Sequence, residues 1–304
     1  MKQSLEILLA GVVDYAGLFP PAALDMAAAV ESYAEYLRDP DSRLLGRFVV
    51  PVVRLREFDE ASVLFLPRGE LSEPWHLSAL PGPDVSADID LALKFNCRHW
   101  SGSDIGHAVI DALEMKVSTA AEIAAAASMM PRQFTPYFEI PIASDPTPLV
   151  AAIKRAGGFA KMRTGGVTPN AFPDAGDVAR FMIACRDARV AFKLTAGLHH
   201  PIRAEYRLTY ADDAPRGEMF GYLNMFVAAT LAWNGADEAK IRSALLATSV
   251  NDFHFSDVSL EFGGCIIAAD VIRDARENFI ISFGSCSFRE PVDDLAALSD
   301  RKSV

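Results

Sequence analysis

Eight short apolar segments alternate with helix-like segments along the chain of 304 residues, and this alternation constrains the fold more than any other feature. Residues 44–53 (LLGRFVVPVV) form a continuous apolar run, which is typical of a strand buried on both faces. The eight predicted strands end near Asp14, Pro51, Leu80, Lys116, Ile142, Arg163, Thr195 and Phe283. Strands that alternate with helices pair in parallel, and eight of them predict an α/β fold of the (β/α)8 TIM-barrel type. An open doubly wound sheet is the alternative.

The predicted barrel is one domain over residues 1–304, with additional helices between its seventh and eighth strands. Apolar spacing predicts these helices at residues 219–233 and 237–246, after a long loop at residues 199–217 that is rich in charge and tyrosine. Residues 251–264 have no interpretable pattern. The first strand is predicted within the opening run LLAGVVDYAG, ending near Asp14. The expected architecture is therefore a barrel with a helical insertion before its last strand.

Composition and charge restrict the class of protein. Hydrophobic residues make up 51% of the chain and charged residues 23%, which is typical of a soluble globular protein. The formal net charge of −11 argues against a nucleic acid as a partner. The four cysteines, Cys97, Cys185, Cys265 and Cys286, include no CxxC pair and are typical of reduced thiols in the cytoplasm. The apolar run before Asp14 is too short for a membrane span, and we expect no signal peptide, so we predict a cytoplasmic protein without a membrane partner.

The active site of a (β/α)8 barrel lies at the carboxyl ends of its strands, where the loops converge. Ten polar residues lie at or just after predicted strand ends: Asp14, Arg47, Glu114, Glu139, Lys161, Arg163, Lys193, Thr195, His199 and His200. The loop after the eighth strand adds Gly284, Ser285 and Ser287. If the barrel closes, these residues come from distant parts of the chain to one cavity.

Two of these residues, Lys161 and Lys193, lie within apolar strands that each lead into glycines. Because alternate side chains of a strand share a face, Lys161 points the same way as Arg163, and Lys193 the same way as Thr195. A lysine inside a barrel can form a Schiff base with a carbonyl substrate, and a second cation nearby lowers the pKa of such an amine. The alternative is that one or both lysines bind an anion or pair with Glu139 or Asp14.

The layout of these lysines resembles that of the class I deoxyribose-phosphate aldolases. In that family a lysine on strand six forms the Schiff base, a lysine on strand seven perturbs it, and an acidic residue lies on strand one. By position, Lys161, Lys193 and Asp14 match these three residues. Where the family has lysine-threonine-serine-threonine-glycine, this chain has KMRTG from Lys161 to Gly165, so the likeness is confined to strand ends. The resemblance implies a barrel of this organisation more than it implies a particular substrate.

Two strand-end loops are candidates for binding an anion. The first contains Arg163, Thr164, Gly165 and Gly166, and the second contains Gly284, Ser285 and Ser287. Glycines let backbone N–H groups approach an anion, and an arginine can bind a carboxylate or phosphate with two parallel hydrogen bonds. The alternatives are an ordinary glycine turn in the first loop and a helix N-cap by Ser287 in the second. Thr195, Arg203 and Arg47 complete the predicted anion-binding residues, although Arg47 could equally form a structural ion pair.

The adjacent residues His199 and His200 permit three interpretations. They could be a general base and a substrate ligand, one of them could be a ligand of a metal ion, or both could be loop histidines at the surface. Neighbouring side chains point apart, and the chain contains no HxH or HExxH spacing. Glu139 is the predicted acid–base partner of the lysines or of the histidines.

We therefore predict a lyase of the aldolase type that acts on a small anionic carbonyl compound, with neither a metal ion nor a cofactor. One alternative is a metal-dependent hydrolase or lyase that uses His199 or His200 with Glu139. Another is a barrel that binds an anionic ligand without turnover. The sequence leaves open whether copies of the chain associate as a homo-oligomer.

Overall fold

Eight parallel strands close into a barrel in the computed structural model, which describes residues 1–69, 71–100 and 103–300. The barrel strands are β1 (Val13–Tyr15), β2 (Leu45–Pro51), β3 (Trp75–Leu80), β4 (Ala108–Lys116), β5 (Thr135–Glu139), β6 (Phe159–Arg163), β7 (Phe192–Thr195) and, as the last strand of the chain, β13 (Ile280–Ser285). The strand β13 pairs with both β7 and β1, which closes the ring. The predicted (β/α)8 barrel is confirmed.

Eleven α-helices belong to the described part of the chain: α1 (Gln3–Leu9), α2 (Met26–Tyr36), α3 (Leu55–Ser62), α4 (Val85–Arg98), α5 (Ala120–Met129), α6 (Thr147–Ala156), α7 (Ala175–Ala188), α8 (Tyr222–Trp233), α9 (Glu238–Leu246), α10 (Ala269–Asn278) and α11 (Arg289–Asp300). Local sequence explains several boundaries, because Asp25, Asp84 and Asp237 accept backbone N–H bonds where α2, α4 and α9 begin. Thr119 and Glu122 form a capping box on α5. Among the described helices, none combines the length and the apolar character that crossing a bilayer requires.

Alternation along the strands separates an apolar outer face from a polar interior. Phe48 of β2 is fully buried, and its ring centroid lies 5.4 Å from that of Phe58 on α3. Phe192 of β7 contacts Phe181 on α7 in the same way, at 5.2 Å. The neighbouring inward position on β7 is occupied by Lys193. The helices therefore cover the apolar faces, and the ionisable side chains are left to the inside of the ring.

The insertion between β7 and β13 contains strands as well as helices, which extends the prediction. The strands β8 (Ala204–Arg207) and β9 (Arg216–Met219) form an antiparallel hairpin in the segment that the sequence predicts as a loop. The strands β10 (Phe253–Phe255), β11 (Ser259–Phe262) and β12 (Cys265–Ala268) form a three-stranded antiparallel sheet. Residues 222–232 of α8 are all buried. The insertion is therefore part of the hydrophobic core.

The opening run LLAGVVDYAG is not one strand, which corrects the prediction. Leu8 and Leu9 are the buried end of α1, and β1 is only three residues long with Asp14 at its centre. Gly11 has a φ of +59°, a conformation that glycine adopts without strain, and the chain turns there between helix and strand. Apolar residues alone do not distinguish the buried end of a helix from a short buried strand.

Candidate active site

A cavity of about 500 Å³ opens at the carboxyl ends of the barrel strands. Its charged lining consists of Glu114 and Lys116 of β4, Glu139 of β5, Lys161 and Arg163 of β6, and Lys193 of β7. Thr195, Gly166, Gly284 and His199 also line it. Predicted site residues from distant segments of the chain therefore meet in one cavity, and its volume is typical of a small-molecule site.

Five ionisable side chains form a row of alternating charge at the base of this cavity. Lys193 Nζ lies 2.5 Å from Asp14 Oδ2 and 2.6 Å from Glu114 Oε1. Lys161 Nζ lies 2.8 Å from Glu114 Oε2 and 2.9 Å from Glu139 Oε2. Because the two lysines share one carboxylate, their ammonium groups are neighbours. We call this set of residues, Asp14, Lys193, Glu114, Lys161 and Glu139, the ionic row.

Hydrogen bonds from other strands hold the carboxylates of the ionic row in place. The Ser78 hydroxyl donates to Glu114 Oε1 at 2.5 Å. The Ser282 hydroxyl donates to Asp14 Oδ2 at 2.6 Å, and the backbone N–H of Arg47 donates to Asp14 Oδ1 at 2.8 Å. Buried charges are stable only when such partners replace the lost water, so these bonds fix the orientation of the row.

Burial and pairing set the protonation of the ionic row. Asp14, Glu114, Lys161 and Lys193 are at most 6% exposed, so an unpaired charge at any of them would be costly. Burial by itself lowers the pKa of Lys193, but the carboxylates of Asp14 and Glu114 outweigh burial and raise that pKa. Burial raises the pKa of Glu114, but the two lysines outweigh it and lower that pKa. Lys193 is therefore an ammonium ion at neutral pH.

Lys161 differs from Lys193 in its carboxylate partners. Both of its carboxylate partners, Glu114 and Glu139, line the cavity. Burial raises the pKa of Glu139, but Lys161 and the half-exposed Arg163, whose Nε donates to Glu139 Oε1 at 3.2 Å, together lower it. Lys161 Nζ thus lies between two carboxylates that a molecule in the cavity can contact.

Thr164 and Gly165 hold the loop after β6 against the loop after β7, and their anion-binding role stays a prediction. The Thr164 hydroxyl donates to the backbone oxygen of Ala196 at 2.5 Å. A Cβ on Gly165 would lie 2.9 Å from Gly197 Cα, so only glycine permits this approach. Ala196 and Gly197 have φ values of +63° and +73°, and a left-handed alanine at a cavity wall is uncommon. The loop after β7 is thus held in an unusual conformation beside the site.

The segment from the end of β13 to the start of α11 contains both predicted serines, and each of their hydroxyl groups accepts a backbone N–H bond. Ser287 Oγ accepts the backbone N–H of Glu290 at 3.1 Å, which is the N-cap alternative. Ser285 is 2% exposed, and its hydroxyl accepts from the backbone N–H of Ser287 at 3.4 Å. Gly284 is the residue of the three predicted ones that lines the cavity. Ser285 and Ser287 thus make structural hydrogen bonds, and their anion-binding role stays a prediction.

Two predicted anion-binding arginines lie away from the cavity lining. Arg47 is the third residue of β2, near its amino end, and its Nε lies 2.6 Å from Asp111 Oδ1. His76 binds the other oxygen of Asp111 at 2.8 Å. Arg203 binds Glu218 of β9 at 2.6 Å. Arg47 thus forms the structural ion pair that was its alternative, and Arg203 belongs to the base of the hairpin.

The two histidines pair with acidic residues of α11. His199 Nδ1 lies 3.0 Å from Glu290 Oε2, and His200 Nδ1 lies 2.5 Å from Asp294 Oδ2. The ring of His200 also stacks on Tyr206 of β8 at 3.6 Å between centroids. Of the two, His199 lines the cavity, while His200 lies in a groove beside it. Within the described ranges, no group of three His, Cys, Asp or Glu side chains is arranged to hold a metal ion.

Glu114 is the central residue of the site, although the sequence-based set of catalytic residues does not include it. Its segment, HAVIDALEMK, has a spacing that fits a helix as well as a strand, which obscured the direction of its side chains. Once the segment is a strand, Glu114 shares a face with Lys116, and both line the cavity. Ser78 and Ser282, which support the ionic row, have no sequence signal of their own.

The function of the chain has to be argued from this geometry. Comparison with protein-family models, with curated proteins and with solved structures finds no match. The architecture is that of the (β/α)8-barrel enzymes in general, and many unrelated chemistries use that fold. The residues at the carboxyl ends of the strands, and above all the ionic row, are therefore the observations that distinguish this barrel.

Proposed function

We propose that the chain is a lyase of the aldolase type, which acts on a small anionic carbonyl compound through a Schiff base at Lys161. The observation that carries this proposal is the sharing of Glu114 by two lysines at the base of the cavity. One lysine is fixed as an ammonium ion, and the other has a carboxylate on each side that faces the cavity. This division of roles also agrees with the resemblance to class I aldolases, in which the lysine on strand six is the nucleophile.

The first chemical steps follow from the contacts of Lys161. Its ammonium group passes one proton to Glu139, at 2.9 Å, and the neutral nitrogen forms a bond to the carbonyl carbon of the substrate. The carbonyl oxygen then takes up two protons, one from Glu139 and one from the nitrogen, and leaves as water. The iminium ion carries the same single positive charge as the ammonium it replaces. The alternation of charge between Glu114 and Glu139 is therefore preserved through the reaction.

The iminium carbon accepts the electron pair of a bond at the adjacent carbon. In a cleavage, the bond between the adjacent carbon and the next carbon of the chain breaks. A carboxylate removes the proton from the hydroxyl group on that next carbon, and this hydroxyl group becomes the carbonyl group of the leaving fragment. Glu139 and Glu114 are the carboxylates of the cavity lining that can accept this proton. The resulting enamine then takes a proton at carbon, and water releases the product from Lys161.

The charges around the cavity favour an anionic substrate. Four cations line it, Lys116, Lys161, Arg163 and Lys193, against the two carboxylates Glu114 and Glu139. The side chain of Arg163 is 54% exposed, and only its Nε binds Glu139, so its terminal nitrogens can bind a substrate carboxylate. An excess of positive charge in the mouth of an acidic protein draws negative molecules to the site.

Borohydride trapping tests the proposal directly. The protein is incubated with a panel of 2-oxo acids, aldehydes and sugar phosphates, reduced, digested and mapped by mass spectrometry. We expect a stable adduct on Lys161 with at least one member of the panel, no adduct at that position in Lys161→Met, and an unchanged adduct in the surface variant Lys94→Met. An adduct confined to other lysines, or none at all, would contradict the Schiff base and leave a barrel that binds an anion without turnover.

A further inference from the structure

We propose that the substrate carries an apolar alkyl or aryl body beside its carbonyl group, in place of the polyhydroxylated chain of a sugar phosphate. The proposal rests on the proposed function for the reacting lysine and for the anionic group at Arg163. Its basis is the sorting of charge in the described cavity lining: every charged residue lies on one arc, and the opposite arc has apolar side chains.

The ionic half belongs to one arc of the barrel. All six charged residues of the described cavity lining lie on the four consecutive strands β4 to β7. The opposite arc, formed by β2, by the end of β3 and by the loops after β1 and β3, contributes the apolar residues Phe19, Pro20, Pro21, Val49, Leu80 and Pro81. The sorting of charge follows the order of the strands, so it is a property of the whole site.

The apolar arc faces the reacting lysine. In the closed ring β6 is four strands from β2 in either direction, so Lys161 and Val49 lie across the barrel from each other. Leu80, at the end of β3, is on the next strand from Val49. A carbonyl compound bound to Lys161, with its anionic group at Arg163 on the same strand, therefore extends the rest of its carbon skeleton toward Val49 and Leu80.

The side chains of this arc favour the binding of alkyl groups over hydroxyl groups. The side chains of valine, leucine and phenylalanine have no hydrogen-bonding atom, and the three prolines also lack a backbone N–H. A hydroxyl group placed there loses its water partners without replacement. Each methylene group that the site buries raises the affinity of the ligand about fourfold. A cavity of about 500 Å³ has room for a body of several carbons beyond the reacting carbonyl.

The first experiment measures binding without chemistry. Dissociation constants are determined by calorimetry for the straight-chain carboxylates butanoate to heptanoate, which have no carbonyl group for Lys161 to attack. We expect affinity to rise about three- to fourfold with each added methylene, and a polyhydroxylated acid of six carbons to bind at least tenfold more weakly than hexanoate. Equal affinity across the series, or a preference for the hydroxylated acid, would overturn the proposal.

The second experiment changes the apolar arc at constant shape. Val49→Thr replaces a methyl group by a hydroxyl at a residue that is 5% exposed, and we expect it to weaken hexanoate binding about tenfold while changing butanoate less than twofold. Val53→Thr, at an 82% exposed position outside the cavity lining, is the matched control and should bind both acids as the unmodified protein does. Equal losses for both acids would overturn the placement of the alkyl chain at Val49.

The two proposals fail in different ways. A rising affinity series without any borohydride adduct on Lys161 would refute the Schiff base and support the apolar body. Adducts on Lys161 with sugar phosphates, together with a flat affinity series, would refute the apolar body and support the Schiff base.

Discussion

Replacing Glu114 by glutamine removes the one carboxylate that both lysines of the ionic row share. Its oxygens lie 2.6 Å from Lys193 Nζ and 2.8 Å from Lys161 Nζ. A glutamine keeps the shape but turns N–H donors toward an ammonium group. Removing one partner of a buried ion pair costs about 3–5 kcal/mol, so we expect a loss of that size in the free energy of unfolding at pH 7.

The difference between Glu114→Gln and the unmodified protein should depend on pH in a defined direction. The pKa of Glu114 is lowered in the folded state, so its contribution is complete above the unfolded-state value of about 4.3 and is lost as the pH falls. Protonation of the unfolded chain removes about 0.6 kcal/mol of this contribution at pH 4 and about 1.8 kcal/mol at pH 3. The glutamine does not titrate, so the difference in the free energy of unfolding between the two proteins becomes smaller by these amounts.

Urea unfolding followed by circular dichroism measures the loss in the free energy of unfolding at pH 7 and its change with pH. The slope of the transition shows whether unfolding is two-state. The control is Glu60→Gln, since Glu60 pairs with Arg56 at the surface, where the two side chains are 67% and 90% exposed. We expect the control to stay within about 0.5 kcal/mol of the unmodified protein. A loss below about 1 kcal/mol for Glu114→Gln at pH 7, or a loss that does not change with pH, would refute the described pairing.

Two further predictions use pairs of matched positions. Gly197→Ala should lower the free energy of unfolding by at least about 1 kcal/mol more than Gly264→Ala. Both glycines have positive φ (+73° and +79°), but only a Cβ at Gly197 would overlap a backbone atom, Gly165 Cα at 2.7 Å. Equal losses in urea unfolding would rule out the described contact between loops. Arg163→Met should weaken hexanoate binding about 10- to 100-fold in calorimetry, because a charge-assisted hydrogen bond is lost. The control Arg203→Met should leave hexanoate binding unchanged. The reverse result would place the carboxylate site at the hairpin.

The barrel and its two lysines could be predicted because they follow from short-range patterns. Alternation along a strand places Lys161 and Arg163 on one face whatever the rest of the chain does, and closure of eight parallel strands brings Lys161 beside Lys193. The hairpin of the insertion gives a weaker signal, because each of its strands has only four residues, although burial does alternate along β8, where Glu205 and Arg207 are exposed.

The roles of individual polar residues depended on contacts that no local pattern contains. Arg47 was predicted at a strand end, but its position in β2 places it near the amino end, beside Asp111 from β4. His199 and His200 meet their partners about 90 positions later in the chain, on α11. Which polar side chain binds an anion and which holds two loops together is decided by such long-range neighbours, and these are known only once the ring is closed.

The unlike halves of the cavity also have a stereochemical consequence. An iminium carbon and the enamine derived from it are flat, and either face could in principle receive a new bond. In the proposed reaction a bound molecule is held at three points, Lys161, Arg163 and Val49, so it always turns the same face toward the carboxylates Glu114 and Glu139. Proton delivery from one side only would create a single handedness at the new centre, and solvent deuterium would be incorporated at one of two otherwise equivalent positions.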